Sequence, residues 1–307
     1  MFPTVNGASE IYLSNLNRNQ DKMTQIQTEI SSGRRVQKPS DDPAAVPQIL
    51  QLRLELDQNQ QVQNNLTTAA AELNTADSAL QTSIAAVGKA LTLALQGANA
   101  GMTPQQQLDI AEQVSGIQQT LVNAANTQVN GRYIFSGGQD TQPAYKLDPT
   151  NLLEGVTQIA NAPATRVIAD ATGTTIAVAK TAQEIFDPQS NGQPASNNTF
   201  AAIQLLITGL ATSNQADIDQ AATGLRAASA YLNDELSFYG NAENRIANAQ
   251  DLAQKFQTQQ TQQLSQLQDT DVASAAVALN LAQVQNQASL SVEASLLQNK
   301  NLFSYLG

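Results

Sequence analysis

The 307-residue chain contains no cysteine, no histidine and no tryptophan. The first two absences remove thiol chemistry, disulfides, imidazole acid–base catalysis and most zinc sites together. Aromatic residues make up only 4% of the chain and charged residues 13%, against a hydrophobic share of 41%. Ala, Leu, Val and Ile therefore carry the apolar content, and Gln and Asn much of the polar surface. That mixture suits long helices packed through small side chains better than a compact core built on large rings. Basic residues are also scarce. Fifteen Lys and Arg against 26 Asp and Glu leave a formal charge of −11, so phosphate backbones and anionic lipid are poor partners, and neither nucleic acid nor membrane is expected. No apolar run approaches the roughly 18 residues of a membrane span. The opening residues carry neither a cationic nor an apolar signal-peptide region, so export, if it occurs, is expected by a route without a cleaved signal.

Proline is unevenly placed. All ten lie at or before Pro194, and another proline-free stretch runs from Gln48 to Thr103. Helix interiors exclude proline because it lacks the N–H and clashes with the preceding turn, so both stretches read as long helices. The apolar spacing agrees. Tyr12, Leu16, Met23, Ile26 and Ile30 fit 4-3 steps, with Asn19 the one polar entry. Seven-residue steps then give Leu52, Asn59, Leu66, Leu73, Leu80, Val87 and Ala94, with a companion row of Leu56, Gln63, Ala70, Asp77, Ile84 and Leu91. A third segment sets Ile110, Val114, Ile117, Leu121 and Ala124 on one face. This is a coiled-coil or bundle pattern with seams softened by small and polar residues.

Gly97–Pro104 reads as a loop between antiparallel helices, with Thr103 an N-cap and Pro104 at the first helical position. The third helix is expected to end near Asn130 and Gly131, followed by an alternating strand through Tyr133 and Phe135 that packs at a domain junction. Residues 139–198 carry five of the ten prolines and β-branched runs at 165–168 and 174–178, which reads as a small β-rich insertion. Helical pattern resumes at Phe200, Ile203, Leu206, Ile207 and Leu210 and continues with an expected interruption at Gly240. The fold class expected is mainly α with this central β-rich insertion. Long antiparallel helices from both chain ends would form a bundle or coiled coil. Its segments are a terminal assembly helix and turn (1–45), a helical part (46–138), the insertion (139–198), a second helical part (199–270) and a C-terminal assembly helix (271–307).

Asp41 or Asp42 can cap a helix starting at Pro43, with both carboxylates at the positive end of its dipole. Pro47 would then clash with the first turn, so either that turn is distorted or the regular helix starts near Pro47. A catalytic or metal-binding use of the pair is disfavoured, since adjacent side chains diverge on a helix and no third ligand is in view. Arg34 and Arg35 fit a solvated turn or an intersubunit ion pair better than a phosphate site. No catalytic residue, cofactor site or metal site is expected. Six basic residues fall within the first 53 positions (Arg18, Lys22, Arg34, Arg35, Lys38, Arg53), whereas the last fifty residues hold only Lys300. This asymmetry fits pairing between subunits and chance equally well.

Three segments carry a resemblance. Residues 30–45, ISSGRRVQKPSDDPAA, resemble the N-terminal signature of the flagellin family, in which a Ser-Gly-basic turn (here at Gly33) leads to an Asp-Asp pair (here Asp41 and Asp42) and the next helix. Residues 126–137, NTQVNGRYIFSG, look like the exit from the α domain in the family's hook-associated members at the hook–filament junction. The tail, with Asp269-Thr270-Asp271-Val272-Ala273 before a long Ala, Leu and Gln-rich helix, is similar but less specific. The Pro after the Asp pair, where filament flagellins have Ala, also favours the junction branch, with filament flagellin the alternative. The resemblance implies a non-enzymatic axial subunit that joins hook to filament as a ring or short helical layer of its own copies. It implies contact with a neighbouring hook-associated protein and flagellin. It further implies export unfolded through the flagellar type III apparatus to the flagellum, with a chaperone on the C-terminal helix. Leu16, Met23, Ile26 and Ile30, with Leu281, Val284, Leu296 and Phe303, are the expected assembly-face residues. The remaining reading, a secreted effector or enzyme, lacks a convincing cluster of polar residues.

Overall fold

The computed structural model describes residues 4–164 and 166–298. The chain divides into a terminal unit, Met1–Gln58 with Gln257–Gly307, and a central unit, Asn59–Phe256. Its elements are α1 (Thr4–Ser32), α2 (Val46–Gly97), α3 (Pro104–Ala125), the strands β1 (Gln128–Val129) and β2 (Arg132–Tyr133), β3 (Tyr145–Leu147) and β4 (Val156–Gln158), and β5 (Val167–Ala169) and β6 (Thr175–Ala177). There follow α4 (Ala182–Phe186), β7 (Gln189–Ser190), β8 (Gln193–Pro194), α5 (Thr199–Ala211), α6 (Gln215–Gln268) and α7 (Val272–Gln298). Consecutive strands pair as four separate antiparallel hairpins. The fold is thus mainly helical with small β elements. The unit boundaries fall inside α2 and α6, because both helices run unbroken through them, and so they cut across the five segments read from loops and composition.

Within the central unit the expected large row of α2 is fully inside: Leu66, Leu73, Leu80, Val87 and Ala94 are each 0% exposed. The companion row is different from the expected one. Ala70, Asp77, Ile84 and Leu91 are only half-buried, and the second inward row lies three residues after the first, at Ala69, Ala76, Ser83, Ala90 and Gly97. A Cβ on Gly97 would run into the side chain of Leu210. Helix α6 repeats the design, with Ile218, Leu225, Leu232, Tyr239, Ile246 and Ala253 as its large row and Ala221, Ala228, Glu235, Ala242 and Ala249 as its small one. Small residues let the backbones approach, and large ones fill the layers between. The two helices run antiparallel: Asn59 donates to the Ala253 carbonyl (2.8 Å), and Asp77 faces Glu243.

Helix α3 buries all five of its expected residues and starts with the expected Thr103 cap, completed as a capping box by Gln106. It stops at Ala125 rather than near Asn130, because the Asn126 side chain binds the backbone of Tyr145 through both its amide and its oxygen. Asn130 and Gly131 instead form the two-residue turn of the β1–β2 hairpin. Their φ values of 52° and 77° are those Asn-Gly adopts most readily. The strand is also shorter than expected, ending at Tyr133, which is half-buried and donates its N–H to the Asp140 carbonyl. Phe135 leaves the strand for the core, edge-on to Phe186 and Tyr239 with ring centroids 6.2 Å from each.

Gly240 does not interrupt α6. It lies beside the buried Tyr239, and the roughly 0.5–1 kcal/mol cost of a helical glycine is offset by the buried residues on either side. The breaks come instead at 212–214, where Ser213 has φ 55°, and at 269–271. One 18-residue window of α2 reaches a mean hydropathy of 1.2, enough by length and composition for a membrane span although no uninterrupted apolar run of that length is present. The Leu and Val residues of its large row are the buried bundle positions, which accounts for that average.

Candidate assembly interface

In the terminal unit α1 packs along α7. The 4-3 row of α1 forms the inner seam: Ile26 is buried, and Tyr12, Leu16, Asn19, Met23 and Ile30 are half-buried. Asn19 donates to the Ala282 carbonyl at 3.2 Å, and Asn286 reaches the Met23 sulfur at 3.5 Å. The polar entry in the seam is therefore an interhelical fastening.

Helix α7 answers with small and polar residues. Ala275 and Ala282 are buried, and Ala278, Leu279, Asn286 and Ser289 are half-buried. Four of its larger aliphatics form a row on the other side. Val277, Leu281, Val284 and Val292 are 69%, 58%, 61% and 53% exposed. On the first helix Ile11 and Leu13 are similarly open, as are Leu50 and Leu54 on α2. An aliphatic row exposed along a helix whose small face is already packed is an unfinished surface. Fully burying one Val or Leu side chain is worth about 1.5–3 kcal/mol, so such a row would offset part of the cost of association with a neighbour.

The eight expected assembly-face residues are thus placed on opposite sides. Leu16, Met23, Ile26 and Ile30 face α7 within the chain, Leu281 and Val284 face outward, and the Leu296 side chain and all of Phe303 lie outside the described residues. The spacing on α1 is the clearer periodic signal, and it marks the partner the helix already has. Val277 and Val292 escaped the sequence reading because α7 has Ala on most of its faces and so shows little contrast between them.

The turn after α1 locks this pair. Gly33 ends α1 at φ 70°, and its carbonyl accepts the Thr270 N–H. Arg34 bridges Asp269 in a short antiparallel contact, and the Arg35 and Val36 amides both donate to the Gln268 carbonyl. The Arg35 guanidinium binds the Leu267 carbonyl (2.9 Å) and the Asp42 carboxylate (3.1 Å), so its ion pair lies within the chain. Beneath the turn, Val36, Ala45 and Ile49 form a small core with Val46, Leu264 and Leu267. Two of the recognisable segments, 30–45 and 269–273, therefore clasp each other, a contact nothing in either segment alone announces.

The two Asp residues divide the work differently from the expected helix cap. Asp41 accepts the N–H groups of Gln37 and Lys38 (2.9 and 2.8 Å), which hold its carboxyl below its usual range. Only Asp42 caps forward, to the Ala45 N–H, and its carboxyl is lowered chiefly by Arg35. Pro43 lies in a turn and α2 begins at Val46, with Pro47 safely in the first turn. The same chemistry recurs at the far side of the clasp, where Asp271 caps α7 through the N–H groups of Ala273 and Ser274. Among the described residues, no group of three or more carboxylates is placed to hold a metal ion.

Comparison with known proteins places these features. Residues 4–140 match the bacterial flagellin N-terminal helical region. Over 257 residues the chain is 28% identical to flagellar hook-associated protein 3 of Escherichia coli K12, covering 79% of this chain and 80% of that one. The structure of a flagellar hook-associated protein from Vibrio parahaemolyticus superposes with a TM-score of 0.65 at 21% identity, over 75% of this chain and 100% of that chain. The flagellar junction protein of Legionella pneumophila gives 0.56 at 13%, over 72% and 99%. At these identities the two structures speak for the fold.

Proposed function

We propose that this chain, whose residues 4–140 match the bacterial flagellin N-terminal helical region and which is similar over 257 residues to a hook-associated protein, is a structural axial subunit of the bacterial flagellum that joins hook to filament. The observation that carries this reading is the inverted α7 helix, small side inward and aliphatic side outward. A subunit that completes its helices on neighbours would have this surface, whereas a catalyst would have a cleft with convergent polar groups. In this reading the α1–α7 pair and its clasp are the part of the molecule that polymerises. Val277, Leu281 and Val284, with Ile11 and Leu13, bury against adjacent copies, a hook-associated neighbour and flagellin. Leu296 and Phe303 would extend the row. The inner seam of Leu16, Met23, Ile26 and Ile30 sets the register of the pair and contributes to assembly through it. Export by the flagellar type III route, with a chaperone on the C-terminal helix, belongs to the same proposal, as does a division of labour between terminal assembly segments and a central body.

Deleting residues 278–307 tests it. The truncated protein should keep a folded central unit and fail to support filament growth on hooks in cells lacking the full-length chain. Filaments of normal length from that truncation would overturn the reading.

A further inference from the structure

A polar cluster in the central unit lies where the β3–β4 hairpin meets α4, α5 and α3. Asp187, 3% exposed, ends α4 and accepts the Tyr145 hydroxyl at 2.7 Å. Its other oxygen accepts the side-chain amides of Gln189 (2.5 Å) and Asn198 (2.6 Å). Those same two amides also donate to Glu154, at 3.0 and 3.2 Å. Glu154 sits in the β3–β4 loop, and its backbone carbonyl accepts Gln118 of α3. Two carboxylates thus converge on one pair of amide donors. Among the described residues no basic side chain forms an ion pair with either.

Such an arrangement lacks positive charge. The two amides give four N–H bonds, one from each to each carboxylate, and Tyr145 adds one O–H, so every donor is neutral. With both acids ionised, like charges face each other in a poorly solvated site. With one proton added, a carboxyl–carboxylate hydrogen bond replaces the repulsion, as in paired acids generally. We propose that Glu154 and Asp187 share one proton taken from solvent, and that the pair is an acid-closed latch fastening the β3–β4 hairpin to the α4–α5 corner.

The surroundings support the sign. The charged or titratable groups facing Glu154 are Asp187 from the end of α4 and Tyr145 from β3, whereas α3, α5 and β7 present only amides. Burial and then the Asp187 charge both push the Glu154 carboxyl upward. A group raised in the folded state stabilises it below its ordinary range, and that contribution is lost as pH rises through the raised value. The latch therefore closes on mild acidification and slackens toward neutrality. The hairpin it holds carries Leu152 and Leu153, 77% and 63% exposed, so its mobility governs how that apolar tip is presented.

Amide hydrogen exchange of the full chain, corrected for intrinsic rates, reads the latch directly. Between about pH 7 and pH 5, protection of the amides of 145–158 should rise, by up to about tenfold for each unit that the pair's ionisation is displaced. Amides of α3 should not change. Glu154→Gln, which keeps the shape and supplies a permanent donor, should show the acid-level protection at both values. If that variant disturbs the fold, carboxyl-carbon NMR titration of the unaltered protein decides instead. Glu154 should titrate above ordinary glutamates, and Asp187→Asn should bring it back down. An ordinary Glu154 titration, or hairpin protection with the same pH profile in wild type and Glu154→Gln, would overturn the proposal.

Discussion

The central unit and the terminal unit build helices from the same alphabet and use it in opposite directions. In α2 and α6 a row of Leu, Ile, Val and Tyr points inward and is fully buried, with a row of Ala beside it. In α7 the Ala row points to its partner and the Val and Leu row points away. The first arrangement closes a core within one chain. The second leaves apolar area for another chain to cover. What distinguishes the closed core from the open helix pair is therefore which row the neighbouring helix meets.

The strongest way to break this comparison is to charge the outward row. Leu281→Asp with Val284→Asp should abolish filament assembly while leaving the melting temperature of the isolated chain within about 4 °C, as expected for two exposed surface changes. A clear loss of monomer stability would mean that these residues are packed in the monomer, and the contrast between units would fail. The converse substitution lies in the central unit. Leu73→Ala removes a fully buried side chain and should destabilise that unit by about 2–5 kcal/mol in urea titration. Its effect on assembly should follow only from the lost stability.

A smaller change tests the clasp. Gly33 holds φ 70° with open space where a Cβ would stand. Gly33→Ala should therefore act through backbone strain alone, weakening the turn by about 1–2 kcal/mol. Exchange at the Thr270 amide, which donates to the Gly33 carbonyl, should rise about tenfold with no change in α3.

Much of the central unit was legible in the sequence because large residues recur there at seven-residue steps against a polar background. The Leu66 to Ala94 row and the Ile110 to Ala124 face came straight from spacing, and Thr103 and Pro104 marked a helix start by their chemistry. The second row was misread because it is made of Ala, Ser and Gly, which carry no hydrophobic contrast. Asn130-Gly131 suits a helix end and a hairpin turn alike, and Asn126 makes the actual stop through a bond to β3 that no local pattern encodes. The clasp is also non-local: Arg35 and Gln268 are far apart in sequence and meet only because α1 and α7 pair. On α7 itself the even spread of Ala hid which side would be covered.

The two units should also part company in acid. In the clasp, Asp41, Asp42 and Asp271 all sit below their usual range, held there by backbone N–H groups, by Arg35 and by Ser274. Groups lowered in the folded state stabilise it above the ordinary carboxylate range, and that contribution is lost as pH falls through the lowered values. Between about pH 7 and pH 5 the clasp should be unaffected, and below about pH 4 it should fray. In the central unit Glu154 and Glu243 are raised, the latter by burial and by Asp77 across the α2–α6 pair, so both favour folding as pH falls through the mildly acidic range. The hairpin-loop caps Asp148, at about 2, and Asp170 are lowered and give way only in stronger acid. Exchange at the Arg35 and Thr270 amides should therefore stay flat on mild acidification while the β3–β4 amides gain protection, and should accelerate only in the lower range. Asp42→Asn should raise exchange at Arg35 already near neutral pH, because it removes the carboxylate that orients the guanidinium. Parallel pH profiles in the two units would show that a single global opening governs both.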